Sequence, residues 1–379
     1  MDKKFVFSVS ALIGMIVGGG IFGLPYVVSV AGLIPAIFYF VVLSGAVLLT
    51  HLLYGEIILR TKERYRLAGF AEKYLGKIWK NITAVAVIFG GVGVLLVYII
   101  IAGDFLKIIV SPIGDFSSFV LGLFFGVFLT FFIIRGIKFI APAEFVTNLL
   151  FLAIVIIFFF LGLPRFDFSN LAILESTNIF LPYGVILFSL IGWAAIPELR
   201  EISGRANGFE MKKILIVSAI IVSFIYILFS LSVVGVSGEN TSMDALSGLI
   251  PFLGPNIVFF GALAGLLTIA DSFLISSFAL INTLVADFRI SKRSAILISC
   301  GLPLVLFLFG LRSFISIIGF MGTIIGATEG LAIVLIYKKI KEMGNRKPEY
   351  SLNVPLPALY LLMAVFLLGA ISQIIYFLK

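Results

Sequence analysis

Gly18-Gly19-Gly20-Ile21-Phe22-Gly23-Leu24-Pro25 interrupts the first apolar segment of the chain, with apolar sequence from Phe5 to Val17 before it and from Tyr26 to Gly32 after it. A glycine inside a helix costs about 1 kcal/mol relative to alanine, and an interior proline about 3. Four glycines and a proline within eight positions therefore forfeit several kcal/mol of helix. In hydrocarbon no water is present to satisfy the freed N–H and C=O groups. Such a stretch survives only where its backbone lines a cavity or a ligand. It reads as a break in a membrane helix whose exposed backbone is a binding surface.

The rest of the chain supports a membrane setting. Of 379 residues, 61% are hydrophobic and 12% charged, a balance that excludes an ordinary soluble domain. Met1-Asp2-Lys3-Lys4 leads into an apolar run with no small-residue cleavage site, so a cleaved signal peptide is not expected. A single cysteine, Cys300, excludes an internal disulfide and a cysteine-based metal cluster, and the single His51 argues against a histidine metal site.

Apolar runs of about 20 residues predict eleven spans, near 5–31, 34–59, 82–109, 117–134, 139–163, 179–199, 213–236, 256–284, 294–311, 314–337 and 355–378. With a cytoplasmic N-terminus, all but Lys107, Arg165, Arg312 and Lys379 of the 27 Lys and Arg fall on the cytoplasmic side. The positive-inside rule then puts the C-terminus outside the cell, in a multi-pass protein of the plasma membrane. The net charge of +8 is thus topological, its expected partner membrane lipid with an anionic inner leaflet. Nucleic acid is not expected.

A second break echoes the first. Gly192 to Pro197 repeats the G-x-x-x-x-P spacing of Gly20 to Pro25, each over a dozen residues into its span. The two spans lie five apart and so cross in opposite directions. Broken segments at corresponding places of two halves point to an inverted repeat with its site at the breaks. Elsewhere, Arg66 to Gly76 has the helical apolar spacing of a short amphipathic helix on the cytoplasmic face. Glu56 is read as a partner of basic loop residues, and Asp104 and Lys107, three apart, as a pair at the outer interface.

Gly18-Gly19-Gly20-Ile21-Phe22-Gly23-Leu24-Pro25 with Ala31-Gly32 resembles the first helix of the amino acid–polyamine–organocation superfamily, closest to its amino acid/auxin permease and aromatic amino acid permease branch. Tyr54-x-Glu56, Ala71 to Gly76, Ala102-Gly103-Asp104 and Pro197-Glu198 fit the same pattern, and the resemblance covers spans 1 to 10. It implies an all-α polytopic membrane protein with the 5+5 inverted-repeat fold of the bacterial leucine transporter. Residues 1–163 and 179–338 would form the two five-helix repeats, and 355–378 an extra helix.

The implied activity is secondary active symport of amino acids. An amino acid is a zwitterion, so its site needs donors for the carboxylate and acceptors for the ammonium. The resemblance gives the carboxylate to the N–H groups of Gly19 and Gly20, at the positive end of a half-helix. The ammonium would go to the carbonyls of Ile16, Phe188 and Ile191. Gly18 and Gly192 leave room beside them, and Phe188 or Trp193 would cover the pocket or simply pack. Gly91, Val94, Asp271 and Ser272 fall near its boundary. No charge is expected in the pocket, which favours neutral substrates.

Coupling to Na⁺ or H⁺ stays open in the sequence. Carried over from sodium-coupled relatives, a Na⁺ would sit among the carbonyls of Gly14, Val17 and Phe273 and the hydroxyls of Ser276 and Ser277. Oxygen-only ligation suits a hard cation. Those serines equally well bond back to their own helix. A lysine that replaces this ion in some proton-coupled relatives is absent, since Ala153 and Ile154 stand there. The rival is a proton on Asp271 or Glu329, because a charge near mid-membrane costs about 2.5–3.5 kcal/mol or more and marks a functional residue by default. An amino-acid-sensing receptor of the same fold is the alternative to a transporter. An enzyme is not expected, as no catalytic acid pair, HExxH or metal cluster is present.

Overall fold

The structure is a computed structural model describing residues 3–136, 141–174, 179–202 and 208–377. Among these residues every regular element is helical. The first apolar segment forms Lys3–Ile16 (α1), a 3₁₀ turn at Gly19–Gly23, and Leu24–Ala31 (α2). Gly32 ends α2 at φ +90°, and any side chain there would press on the Leu174 backbone, so glycine is required. Leu33–Arg60 (α3), the short Leu67–Leu75 (α4), Lys77–Val110 (α5), Ser118–Ile134 (α6) and Ala141–Gly162 (α7) follow.

The second half opens with Leu181–Leu190 (α8), a 3₁₀ turn at Trp193–Ala195, and Ile196–Ile202 (α9). Gly208–Ser237 (α10), the one-turn Ile250–Leu253 (α11) and Pro255–Phe288 (α12) come next. Lys292–Ile296 (α13) and Leu302–Leu308 (α14) are joined by a π-helical turn, as are Phe314–Phe320 (α15) and Ala327–Met343 (α16); Leu356–Phe377 (α17) ends the bundle.

Among the described residues, up to nine stretches are long and apolar enough to cross a bilayer, with the bent pair at the first break taken as one. The other two predicted spans also have helical counterparts, α6 and 292–308, each 17 residues long.

The core is the long pair α5 and α12, packed along each other, with α1, α7 and α10 on one side and α8, α15 and α16 on the other. Close approach is bought by small residues. A side chain at Gly184 would overlap the Gly319 backbone, and one at Gly322 would reach the Phe188 amide at 2.7 Å. The outward faces carry exposed apolar residues such as Val41, Phe124 and Leu361, the surface a bilayer would cover. Helix α17 is peripheral as expected. It lies against α16 and α8, and Tyr183 donates to the Val365 carbonyl at 3.0 Å.

One end of the bundle gathers the ionic contacts. Glu56 holds Arg60 at 2.7 Å and accepts from the Leu352 amide at 2.7 Å, which fits the structural reading of this acid. In the loop before α4, hydrogen bonds from Lys73 and Asn345 to Glu63 depress its carboxyl pKa to about 2. The expected Asp104–Lys107 pair is corrected: Lys107 reaches Asp115 instead, at 3.6 Å across the exposed turn that follows α5.

Candidate functional site

The first break turns the chain by 49°. Gly18 adopts φ −103° and ψ −149°, which ends α1, and the 3₁₀ turn starts at Gly19. An i→i+3 turn beginning there leaves the Gly19 and Gly20 N–H groups with no acceptor earlier in their own helix. The glycines are walled in. A side chain at Gly18 would strike the Tyr98 hydroxyl, one at Gly19 would meet Tyr98 and Val97 at 3.1 and 3.2 Å, and one at Gly20 would meet Ser189 Oγ at 2.7 Å.

The second break is built differently. It has one glycine, Gly192, at φ −151° and ψ 13°, facing the Ile16 side chain. The following turn presents Trp193, whose Nε1–H donates to Glu329 Oε2 at 2.5 Å, and Ala194, which is exposed. Tyr226 of α10 fastens the two breaks together. Its hydroxyl lies 3.0 Å from the Ile16 carbonyl and 2.7 Å from the Ser189 carbonyl, and both contacts are fully buried.

Between the breaks lies a cavity of about 180 Å³. All eight residues expected to meet substrate, from Ile16 to Gly20 and from Phe188 to Trp193, line it, as do Gly91 and Val94. Asp271 and Ser272 are not part of its lining. The remaining walls are mostly apolar, with Val87, Leu280, Met321 and Ile325 among them, and carry the hydroxyl residues Tyr54, Tyr98, Ser276 and Thr283. From the breaks it extends to Arg66 and Leu67, at the end of the bundle where the basic residues gather.

The expectation of an uncharged pocket is corrected. Arg66 and Glu329 both line the cavity. Arg66 is neutralised by Glu198 at 2.6 Å, whereas Glu329 faces no cation among the described ion pairs and is 9% exposed. Sequence alone put Glu329 three turns from Lys338 but gave no sign of which way it faced.

The two serines expected to hold a cation differ in their surroundings. Ser277 lies beside Cys300, in the π turn between α13 and α14, and its Oγ is buried with no hydrogen-bond partner among the described residues. Phe273 packs edge-on against Phe125. Ser276 lines the cavity next to Tyr98. Gly14 is the expected ligand whose carbonyl meets a hydroxyl of α12, and that hydroxyl belongs to Ser272, at 3.5 Å. Val17 follows Gly14 at the end of α1, with its amide closing on Ile13. Of the α12 hydroxyls, that of Ser272 is the one hydrogen-bonded to α1 among the described residues.

Next to Ser272 sits Asp271, 3% exposed, at the corner where α1, α7 and α12 pack. Its Oδ2 accepts from Thr147 at 3.0 Å, and its Oδ1 is buried with no partner among the described residues. Asn148, one residue further along α7, donates to the Ser10 carbonyl at 3.0 Å and so ties α7 to α1.

Sequence reasoning missed two tyrosines, Tyr98 and Tyr226. A tyrosine deep in an apolar span needs a partner for its hydroxyl, and that was the available signal.

Compared with known proteins, residues 1–375 match the sequence profile of the tryptophan/tyrosine permease family. The chain belongs to that family. It is an amino-acid permease and not an enzyme, and the match favours transport over a purely sensing role. No curated protein matches it closely. Among solved structures, the permease superposes on "Crystal structure of MhsT in complex with L-phenylalanine" with a TM-score of 0.70 over 98% of each chain, at 15% sequence identity. The expected leucine-transporter fold, all-α with broken first and sixth spans, is therefore the fold of this permease.

Proposed function

We propose that the permease imports aromatic amino acids across the plasma membrane by symport, binding them between the two helix breaks. The observation that carries this reading is the cavity itself, which both breaks face. Backbone N–H groups of Gly19 and Gly20 stand at its first break for a carboxylate, and main-chain carbonyls of Ile16, Phe188 and Ile191 flank it for an ammonium. The Ile16 carbonyl already accepts from Tyr226 and from the Gly18 amide, which occupies both of its lone pairs, so the ammonium falls chiefly to Phe188 and Ile191. The family supplies the substrate class, and the apolar walls suit an aromatic side chain. Within the superfamily the reading places the chain with the amino acid/auxin permease and aromatic amino acid permease branch.

With the N-terminus cytoplasmic and the C-terminus outside, the basic end of the bundle is the inner one. The cavity reaches that end at Arg66, so this is the inward-facing arrangement of an alternating-access cycle.

The coupling ion is read as a proton on Asp271. A buried carboxylate that faces a neutral Thr147 and no cation among the described residues is costly as an anion and cheap once protonated. Its place between α1 and α7 lets protonation act on the half-helix that carries the first break. Na⁺ is the second reading, favoured by the oxygen-only surroundings of Gly14, Ser272, Asp271 and Thr147, which suit a hard cation.

Uptake of labelled tryptophan, tyrosine or phenylalanine into proteoliposomes, under separately imposed pH and Na⁺ gradients, tests this. A pH gradient alone is expected to drive accumulation. Asp271→Asn is expected to abolish accumulation while leaving exchange of internal for external substrate. Accumulation that requires Na⁺ and ignores the pH gradient would sink the proton reading.

A further inference from the structure

Glu329 is the cavity feature that amino-acid backbone recognition leaves unused. Its Oε2 is held by the Trp193 indole N–H. Its Oε1 has no protein donor among the described hydrogen bonds and is not one of the buried atoms lacking a partner, so it opens on the cavity that Glu329 lines. Access to it is kept by Gly90 on α5, where a side chain would begin 3.6 Å from Oε1.

The distance from the first break is suitable. Tyr98, which abuts Gly18, lies eight residues beyond Gly90 on the same helix, and a rise of 1.5 Å per residue separates their levels by about 12 Å. Allowing roughly 3 Å for a hydrogen bond at each end leaves about the length of one aromatic amino acid, carboxylate at the glycines and ring tip at Glu329.

We infer that Glu329 is the specificity-determining residue of this permease, its Oε1 accepting a hydrogen bond from an indole N–H or phenol O–H of the substrate while Oε2 stays on Trp193. The inference rests on the proposed amino-acid site at the breaks. The pairing of Trp193 with Oε2 shows in the protein itself the contact that a substrate indole would make with the other oxygen. A lysine or arginine side chain would also meet a carboxylate, but the walls of Val87, Leu280, Met321 and Ile325 would strip its hydration and Arg66 lines the same cavity, so a neutral donor on an aromatic ring fits better. Phenylalanine fills the same walls and leaves Oε1 without a donor, which is the situation in which a polar site discriminates strongly.

Equilibrium binding of tryptophan, tyrosine, phenylalanine and arginine to the purified full-length permease tests this, with the melting temperature of each variant as the control for folding. A hydrogen bond to a buried carboxyl oxygen corresponds to about a 10-fold preference, so the wild type is expected to bind tryptophan or tyrosine that much more tightly than phenylalanine. Glu329→Ala is expected to bring the ratio to within about 3-fold, by weakening tryptophan and tyrosine and strengthening phenylalanine. Trp193→Phe, which removes the indole N–H and keeps a ring, is expected to retain the preference.

An unchanged ratio in Glu329→Ala overturns the inference, as does a wild type that prefers arginine. If Glu329→Ala binds nothing, Trp193→Phe decides: a ratio kept there supports a substrate contact, and a ratio lost there means that Glu329 serves only to hold the second break. A wild type that binds none of the four overturns the amino-acid site as well, whereas one that binds aromatic amino acids without preference overturns only the role of Glu329.

Discussion

The two helix breaks share a spacing and little else. At Gly18 to Pro25 three consecutive glycines are packed so tightly against Tyr98, Val97 and Ser189 that the chain offers only main-chain atoms to the cavity. At Gly192 to Pro197 a single glycine opens the turn, and the next residue contributes a side chain, Trp193, hydrogen-bonded to Glu329. Backbone is the same in every variant of a site, so it suits what all amino acids have in common. Side chains differ, so they suit what distinguishes one amino acid from another. The first break is thus built for the shared end of the substrate and the second for its variable end.

The severest test of this division is Gly20→Val. Its side chain would drive into Ser189 Oγ and the Ser189 Cα, the latter at 3.0 Å and part of the main chain. Substrate binding should be lost for every amino acid while the protein still inserts and purifies. Binding at wild-type strength, measured by equilibrium dialysis, would break the assignment of the first break to backbone recognition.

A gentler comparison uses alanine at both breaks. Gly20→Ala meets the Ser189 main chain at 3.0 Å, whereas Gly192→Ala meets Cγ1 of the buried, β-branched Ile16 at 2.3 Å. Gly20→Ala should weaken all amino acids alike, and Gly192→Ala should also weaken them by pressing on Ile16 at the first break. Wild-type affinity in either variant would mean that the break concerned is not part of the site.

Tyr226→Phe removes the hydroxyl that joins them. Leaving the buried Ile16 and Ser189 carbonyls short of a donor should destabilise the protein by about 1–3 kcal/mol, read as a lowered melting temperature. The effect on affinity should be similar for all substrates, because the link supports both breaks at once.

Far from either break, Glu63 sets the lower limit. Its folded-state pKa of about 2 lies below the ordinary 4.5, so its stabilising contribution is present above about pH 4.5 and is lost as the pH falls towards 2. Glu63→Gln should therefore leave substrate ratios untouched and lower the melting temperature slightly at neutral pH. That small shift should vanish in acid.

Much of this was legible in the sequence because its causes are local. The helix cost of glycine and proline is a local backbone property, so both breaks and their shared spacing could be read directly, and apolar run length located the helices. Burial of one face against a particular neighbour is not local. The i, i+3, i+4 spacing of Phe273, Ser276 and Ser277 does put them on one side of α12, but nothing in that spacing says whether α1 or the helix of Cys300 lies opposite. Ser272, one turn before Ser276, is the serine that reaches Gly14. Likewise the orientation of Glu329 depends on Trp193, 136 residues away, and no periodicity carries that information.

The Tyr226 hydroxyl also bears on biogenesis. It reaches back 210 residues to the Ile16 carbonyl, which otherwise has the Gly18 amide alone, so the hydrogen bonding of the first helix to enter the membrane is completed only with the seventh. Until then that helix is an unfinished piece, and hydrocarbon around it would leave unsatisfied groups costing several kcal/mol each. The amino-terminal half should therefore be held by an insertase or chaperone-like environment during synthesis. Expressed alone, it should be degraded, while co-expression with the second half should rescue it.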